Sequence, residues 1–123
     1  GGPNPHWFLT LRATGPTVCA GHYDGAFAGA TAAGLVLGTS ALIEWWYDGT
    51  TIRVRVGTGT VGTAVRGNPS NVSNVAMIGA ASQGVDHFLD GRLAPPLCFR
   101  VTLSGAEQTA TRNYLGRIYG VAA

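Results

Sequence analysis

The sequence predicts a single, mostly β domain of short strands joined by turns, followed by one C-terminal α-helix. Its 123 residues are enough for one domain and too few for two ordinary cores. The composition is 46% hydrophobic and 11% charged, which is too apolar for a disordered chain. The 19 glycines interrupt the apolar segments too often for a helical bundle. Many short strands therefore fit best.

Turn-forming residues separate the apolar segments and define the expected strands. The first three strands are expected at 7–12, 17–21 and 34–37, whereas the small residues 25–33 are expected to form a loop or a weak edge strand. Further short strands are expected at the segments 60–65, 75–79, 86–90 and 97–101.

The strongest local signal is a β-hairpin around Asp48 and Gly49, because Asp-Gly between two β-prone segments is typical of a hairpin turn. A two-residue turn pairs Glu44 with Arg53, whereas a four-residue turn pairs Glu44 with Arg55. Both registers give the same two faces, because side chains alternate with a period of two. The predicted core face carries Ile43, Trp45, Tyr47, Ile52, Val54 and Val56. The opposite face carries Leu42, Glu44, Trp46, Arg53 and Arg55.

A helix is predicted at the C-terminal end. Ser104 and Glu107 have the spacing of a capping box, and the helix is expected to run from there to Tyr119 and to end at Gly120. Apolar residues recur at helical spacing and predict a stripe that docks on a sheet, formed by Ala106, Ala110, Tyr114, Leu115 and Ile118. The polar remainder, with Arg112, Asn113 and Arg117, is expected to face water.

The charge pattern argues against nucleic acid as a partner. The net charge is +2, and the 8 basic residues are all arginines scattered along the chain. Phosphate binding needs clustered basic residues. No segment approaches the roughly 18 apolar residues of a membrane span, and the first residues lack the pattern of a signal peptide. We therefore expect no nucleic acid and no membrane among the partners.

The potential metal ligands are too dispersed to predict a metal site or a cofactor. Cys19 and Cys98 lack the spacing of a zinc or redox pair, and their apolar neighbours favour two reduced core thiols over a disulfide. The 3 histidines are spread over the chain. The residues His22, Tyr23 and Asp24 predict a compact polar loop that holds a cation or a sugar or, as we favour, caps local backbone groups.

The 6 acidic residues do not form the carboxylate pair that glycoside hydrolysis requires. Asp48 is assigned to the turn, Glu107 to the helix cap and Glu44 to a cross-strand ion pair. Asp86 and Asp90 share a face of their predicted strand, with no recognisable triad beside them. A local motif for a nucleophilic cysteine or serine is absent as well. We therefore expect no enzymatic activity.

Several short motifs follow one another in the second half of the chain, at 42–50, 52–56, 77–79, 88–93, 97–99 and 103–121. In order and spacing they resemble the concanavalin A-like lectin/glucanase superfamily, in the LamG-like form found in phage and bacterial proteins. The resemblance implies that residues 1–123 form one antiparallel β-sandwich, a jelly roll, with the C-terminal helix against its edge or face.

The sequence departs from this family in three places. The family normally has more chain before the strand at 7–12, so we expect a minimal sandwich or one truncated at its N-terminus. The usual Asp-Gly or Asn-Gly turn is absent at 57–59. Pro95 and Pro96 interrupt a strand that is usually continuous. Because proline cannot donate to a β-ladder, this stretch is expected at an edge or a bulge.

The best candidate for ligand binding is Trp46, whose indole is predicted to lie on the outer face beside Glu44, Arg53 and Arg55. An apolar ring rimmed by hydrogen-bonding groups is what a sugar requires. In the alternative interpretation, which we favour, the helix, a loop or a neighbouring subunit covers Trp46.

The resemblance implies a phage setting. We expect a non-catalytic structural or decoration module of a tailed phage, located on the virion, that binds other virion proteins as an oligomer or as part of a larger assembly. The alternative is a carbohydrate-binding, lectin-like adhesion module of a phage tail or a bacterial surface protein. That module would be extracellular or at the cell surface, with a surface glycan as its partner.

Overall fold

The computed structural model describes residues 6–12, 15–67, 69, 94 and 96–121. This part contains six strands and one helix, in the order β1 (His6–Arg12), β2 (Thr17–Tyr23), β3 (Phe27–Ala33), β4 (Ile43–Tyr47), β5 (Thr51–Val56), β6 (Gly62–Val65) and α1 (Gly105–Tyr119). The predicted mostly β fold with a C-terminal helix is confirmed. No described helix has the length and the apolarity needed to cross a lipid bilayer.

The strands form two antiparallel sheets, each built from three consecutive strands. The first sheet has the order β1-β2-β3, and the second sheet has the order β4-β5-β6. Short turns connect neighbouring strands, and glycines with positive φ, such as Gly25 and Gly49, allow two of these turns. Because every connection within a sheet is local, β2 and β5 become the central strands.

The two sheets pack face to face through small aliphatic side chains. Along β5 the burial alternates strictly, as expected for a strand with one face in the core. The first sheet contributes alanines from its central and edge strands, which lets the second sheet approach closely. The core consists of Val18, Ala20, Ala30, Ala32, Ile52, Val54 and Val56.

The backbones of the two sheets come very close at Gly62 of β6. A Cβ atom at this position would overlap the backbone carbonyl group of Thr31 in β3. Only a residue without a side chain fits between these two backbones. Gly62 therefore determines how closely the sheets pack at this edge.

The third predicted strand is wrong in position. Residues 34–37 form no strand, whereas the small residues 27–33 form β3, an edge strand, which is one of the two alternatives expected for this segment. Ala30 and Ala32 are small enough to be buried against the second sheet, whereas Val36 and Leu37 are 61% and 62% exposed. Gly34, with a φ of 104°, ends the strand. The fit of small side chains against the second sheet, and not the higher hydrophobicity of residues 34–37, therefore determines where the third strand forms.

Other strand predictions differ in extent or fall elsewhere. The second strand continues beyond its predicted end at residue 21 to Tyr23, and the strand predicted at 60–65 is shorter, Gly62–Val65. The segment 97–101 forms no strand, because none of the described strands pairs with it and its apolar side chains are exposed. The strands expected at 75–79 and 86–90 lie outside the described residues.

The helix has its predicted ends. The Ser104 hydroxyl oxygen accepts a hydrogen bond from the Glu107 backbone N–H at 3.2 Å, and the Glu107 carboxylate accepts one from the Ser104 N–H at 2.9 Å. The hydrogen bond from the Ser104 backbone N–H, with a smaller contribution from the Ser104 side chain, lowers the pKa of the Glu107 carboxyl group. Gly120 ends the helix in the left-handed conformation, with a φ of 65°.

The orientation of the helix contradicts the prediction for most of the stripe and for Arg112, whereas Leu115 is half-buried and Asn113 and Arg117 are exposed as expected. In the apolar stripe, Tyr114 and Ile118 are 52% and 53% exposed, and no helix residue is buried. Arg112, which was expected to face water, turns toward the protein, and only 13% of its side chain is exposed. The reason is that its ion-pair partner is a carboxylate on the second sheet, which attracts an arginine rather than an apolar stripe.

The cysteines match the prediction except for the burial of Cys98. Both are free thiols, and Cys19 is buried as expected. Cys98 is exposed and is therefore not a core thiol, because the segment around it packs against no described strand.

We expect Gly62→Ala to lower the free energy of unfolding by about 3 kcal/mol, because the added methyl group overlaps backbone that moves only if the sheets separate. Urea denaturation measures the change. Gly67→Ala is the matched control, since no atom lies within 4 Å of its added methyl group. This control is expected to stay within about 0.5 kcal/mol of the parent. Equal effects of the two substitutions would contradict the close packing at Gly62.

Candidate functional site

The four candidate residues lie together on the outer face of the second sheet. β4 and β5 pair so that Glu44 lies opposite Arg55 and Trp46 lies opposite Arg53. This is the register of the four-residue turn, one of the two alternatives that the sequence allows. The hairpin thus brings two arginines, one carboxylate and one indole onto a single surface.

Asp48 organises the turn that sets this register. Its carboxylate accepts hydrogen bonds from the backbone N–H groups of Thr50 at 3.1 Å and Thr51 at 2.9 Å, and it also forms an ion pair with Arg53. The Arg53 guanidinium and these backbone donors hold the pKa of Asp48 well below its ordinary value of 3.8. Arg53 is therefore bound to the turn.

Glu44 is the centre of the face. Its Oε1 accepts a hydrogen bond from Arg55 Nε at 2.6 Å and another from Arg112 Nη1 of α1 at 2.8 Å. The side chains of all three residues are largely buried. One carboxylate thus joins the cross-strand pair to the C-terminal helix, and it connects residues that are 68 positions apart.

Trp46 is half-buried, and Arg55 lies above its ring. The guanidinium carbon is 5.8 Å from the ring centroid, which is within cation–π range. The same guanidinium is held by Glu44. The face therefore resembles a set of paired side chains more than an open platform, because each of its three arginines forms an ion pair with one of its two carboxylates.

Sequence reasoning missed two members of this face. Arg112 was assigned to the solvent side of the helix, and no local pattern marks it as a sheet contact. Asp48 was assigned to the turn alone. The sequence was sufficient to predict its ion pair with Arg53, five residues further along the chain, because a four-residue turn brings these positions close together.

Aromatic residues form a second cluster between the edge strands β1 and β4. The ring centroid of Trp7 lies 4.5 Å from that of His22, 5.1 Å from that of Tyr47 and 5.9 Å from that of Trp45. Trp45 was predicted to be a core residue, but it is 38% exposed. The correction follows from topology, because β4 is an edge strand and the large indole extends past the small core between the central strands.

The residues expected as a polar loop instead end a strand. His22 lies in β2 and is buried, and its Nδ1 accepts a hydrogen bond from Arg66 Nε at 3.2 Å. Arg66 also forms an ion pair with Asp24. The backbone carbonyl oxygen of Arg66 accepts a hydrogen bond from the Tyr47 hydroxyl at 2.5 Å. These contacts join the two sheets at one end, which is a structural role.

The part of the chain that the structure describes gives no evidence for a metal site. Within that part, no three His, Cys, Asp or Glu side chains come close enough together to hold an ion. One surface depression lies between the loop 39–42, the turn 57–59 and the helix end at Gly120 and Val121. Its lining carries no charged side chain, so it offers no acid or base for chemistry.

Comparison of the chain with protein-family models, with curated proteins and with solved structures finds no match. The likeness to concanavalin A-like domains therefore stays a prediction from the sequence motifs.

We expect Asp48→Asn to lower the free energy of unfolding at pH 7, because the turn loses an ionised acceptor. A carboxylate with a depressed pKa stabilises the folded state above the unfolded pKa of about 3.9, and this contribution is lost as the pH falls toward its folded value. The difference between parent and variant is therefore expected to shrink below pH 4 in urea denaturation. Thr50→Val is the control, since it removes a hydroxyl that donates to Asp48 but keeps the carboxylate. A difference that is constant with pH would contradict the assignment.

Proposed function

We propose that this chain is a non-catalytic jelly-roll domain of the LamG-like type that serves as a structural or decoration module of a tailed-phage virion. In this role it binds other virion proteins on the particle surface. The observation that carries the protein-binding part of the proposal is the exposed part of the apolar stripe of α1, since four of its five residues face away from the chain's own sheets and only Leu115 is half-buried.

The exposed stripe indicates a protein partner. Ala106, Ala110, Tyr114 and Ile118 follow one another at intervals of four residues, and all four are exposed. An amphipathic helix normally turns such a stripe toward the core. Here the inward side carries Arg112, so the stripe is available to the surface of another protein.

The polar face of the second sheet supports a protein partner over a glycan. Sugar recognition needs free hydrogen-bonding groups around an aromatic ring. Around Trp46, however, Arg53 is bound by Asp48, and Arg55 shares Glu44 with Arg112. A ligand would have to displace these ion pairs.

The same ion pairs support a non-catalytic role. Glycoside hydrolysis needs two carboxyl groups that are both available to one sugar bond. Asp24, Glu44 and Asp48 each contact an arginine.

The two sheets support the β-sandwich part of the assignment, and the jelly-roll part rests on the resemblance. Two antiparallel three-stranded sheets pack in a sandwich-like arrangement, and a capped helix follows them. The order of motifs along the chain adds the resemblance to LamG-like domains. The phage setting and the virion location rest on that resemblance.

Photo-crosslinking on purified virions tests the proposal. A photoreactive amino acid at position 118, in the exposed stripe, is expected to cross-link the chain to another virion protein. The same amino acid in place of Thr63, an exposed residue on β6, is the matched control and is expected to give little product. Equal cross-linking at both positions would contradict the assigned surface, and absence of the chain from purified particles would contradict the virion role.

The second candidate function is glycan binding, favoured by the convergence of Glu44, Trp46, Arg53 and Arg55 on one face. If the ring of Trp46 is a sugar platform, Trp46→Ala abolishes retention on the cognate polysaccharide and leaves the melting temperature within about two degrees. We expect instead a loss of about 1–2 kcal/mol in stability, because the half-buried ring packs under Arg55. Trp46→Phe keeps an aromatic ring and serves as control. Affinity electrophoresis and thermal melts separate the two outcomes.

A further inference from the structure

We infer that the contact between His22 and Arg66 is a pH-sensitive junction between the two sheets. The Arg66 guanidinium binds the neutral imidazole of His22. When that ring takes up a proton, it expels the guanidinium, and the sheets separate at this end. The inference concerns the chain itself and needs no partner, so it stands or fails separately from the proposed function.

His22 is a buried histidine whose contacts define its protonation state. Its side chain is fully shielded from solvent. Its Nδ1 accepts a hydrogen bond from Arg66 Nε at 3.2 Å. A ring nitrogen that accepts carries no proton, and a neutral imidazole has one proton, which is therefore on Nε2. The geometry thus assigns a neutral ring to this structure.

Two charged groups face this ring in the described part of the chain. Arg66 follows β6 and donates to Nδ1, and Asp24 follows β2, with its Oδ2 4.0 Å from the same nitrogen. The two groups also form an ion pair with each other. The neighbouring strands β1 and β3 place Trp7 and Ala28 opposite His22, and neither side chain carries a charge. The charge balance around the ring thus depends on one arginine and one aspartate.

The side chain of Arg66 connects the two sheets. Its backbone carbonyl oxygen accepts a hydrogen bond from the hydroxyl of Tyr47 in β4, which ties this residue to the second sheet and stays protonated at acid pH. Its guanidinium extends to the first sheet, where it contacts His22, Asp24 and the Ala26 carbonyl oxygen, the last at 3.4 Å. All three contacts are lost together if this guanidinium moves away.

Protonation of His22 reverses the hydrogen bond at Nδ1. With a proton on each ring nitrogen, Nδ1 is a donor and no longer accepts from Arg66 Nε. Two cations would also lie 3.2 Å apart at a site that is largely shielded from water, where charges repel strongly. The Asp24 carboxylate, 4.0 Å away, is the acceptor for the new N–H. The protonated ring therefore takes the carboxylate, and the guanidinium moves into solvent.

The direction of the pH dependence follows from these contacts. The folded chain uses the His22 imidazole as an acceptor, whereas the unfolded chain exposes an imidazole that binds a proton near the ordinary pKa of about 6.5. Below that pH the unfolded state therefore binds more protons, and stability falls as the pH falls. The core between the sheets is aliphatic and does not titrate. Acid therefore opens the end of the sandwich before it unfolds the centre.

Nuclear magnetic resonance on a chain with one histidine tests the opening. The variant His6→Gln/His87→Gln keeps His22 as its only histidine, and the parent chain with three assigned imidazoles gives the same readout without substitution. At about pH 7.5 we expect the ring proton on Nε2 and a nuclear Overhauser effect between the ring and Arg66 Nε–H. At about pH 5 we expect a doubly protonated ring and loss of that effect, while the amides of β5 stay protected from exchange.

Urea denaturation of the same chain measures the effect on stability. Between these two pH values we expect the unfolding equilibrium constant to rise roughly tenfold, the factor for loss of one charge-assisted hydrogen bond. Arg66→Gln removes the repelling cation and leaves Asp24 beside the ring, so the rise is expected to be less than about threefold. His22→Gln keeps an acceptor that does not titrate and is expected to abolish the response. Arg117→Gln removes the same charge from an exposed residue of α1 and, as matched control, is expected to keep the full response.

Four results would overturn the inference. A proton on Nδ1 at about pH 7.5 means that the ring does not accept from Arg66. A ring that becomes charged while the Overhauser effect and the unfolding constant stay unchanged means that the junction tolerates the charge. A ring that stays neutral down to about pH 4 means that the junction does not open in the folded chain. An equal response in Arg66→Gln and Arg117→Gln means that repulsion by Arg66 is not the cause. Each of these results leaves cross-linking at position 118 unaffected, so the proposed function is decided separately.

Discussion

Close packing of the two sheets is the constraint on which the rest of this structure depends. Ala30 and Ala32 of β3 and Gly62 of β6 bring the backbones close together, and the hydrophobic core between the sheets consists of alanine, valine and isoleucine side chains. Large aromatic side chains are therefore displaced to the edge strands, where Trp7 and Trp45 meet. Because the core is thin, many large apolar side chains stay on the outer surfaces.

The second organising interaction is the Glu44 carboxylate on the outer face of the second sheet. It is shared by Arg55 of the neighbouring strand and Arg112 of the helix. This sharing decides which side of α1 turns inward, and it thereby decides that the apolar stripe turns outward. A single carboxylate thus links the polar face, which resembles a sugar site, to the exposed stripe, which resembles a protein-binding site. The exposed stripe that supports a protein partner in the proposed function follows from this link.

Local chemistry in the sequence was sufficient for the elements that depend on near neighbours. The capping box of Ser104 and Glu107 and the glycine at position 120 predicted both helix ends, because their hydrogen bonds are local. The turn at Asp48 predicted the hairpin and its two faces, since side-chain parity is independent of turn length. The placement of Glu44, Trp46, Arg53 and Arg55 on one face followed from the same rule.

Contacts between distant segments were decided by the tertiary structure alone. Whether the small residues of β3 form a strand depends on a second sheet that needs small partners, and no local pattern carries that information. The orientation of α1 depends on a carboxylate 68 positions away, so periodicity located the apolar stripe but assigned it to the wrong side. The sequence by itself determined the local elements and their faces, because these follow from the alternation of side chains and from capping. The tertiary structure determined which faces meet, because packing and ion pairing between distant residues depend on three-dimensional proximity.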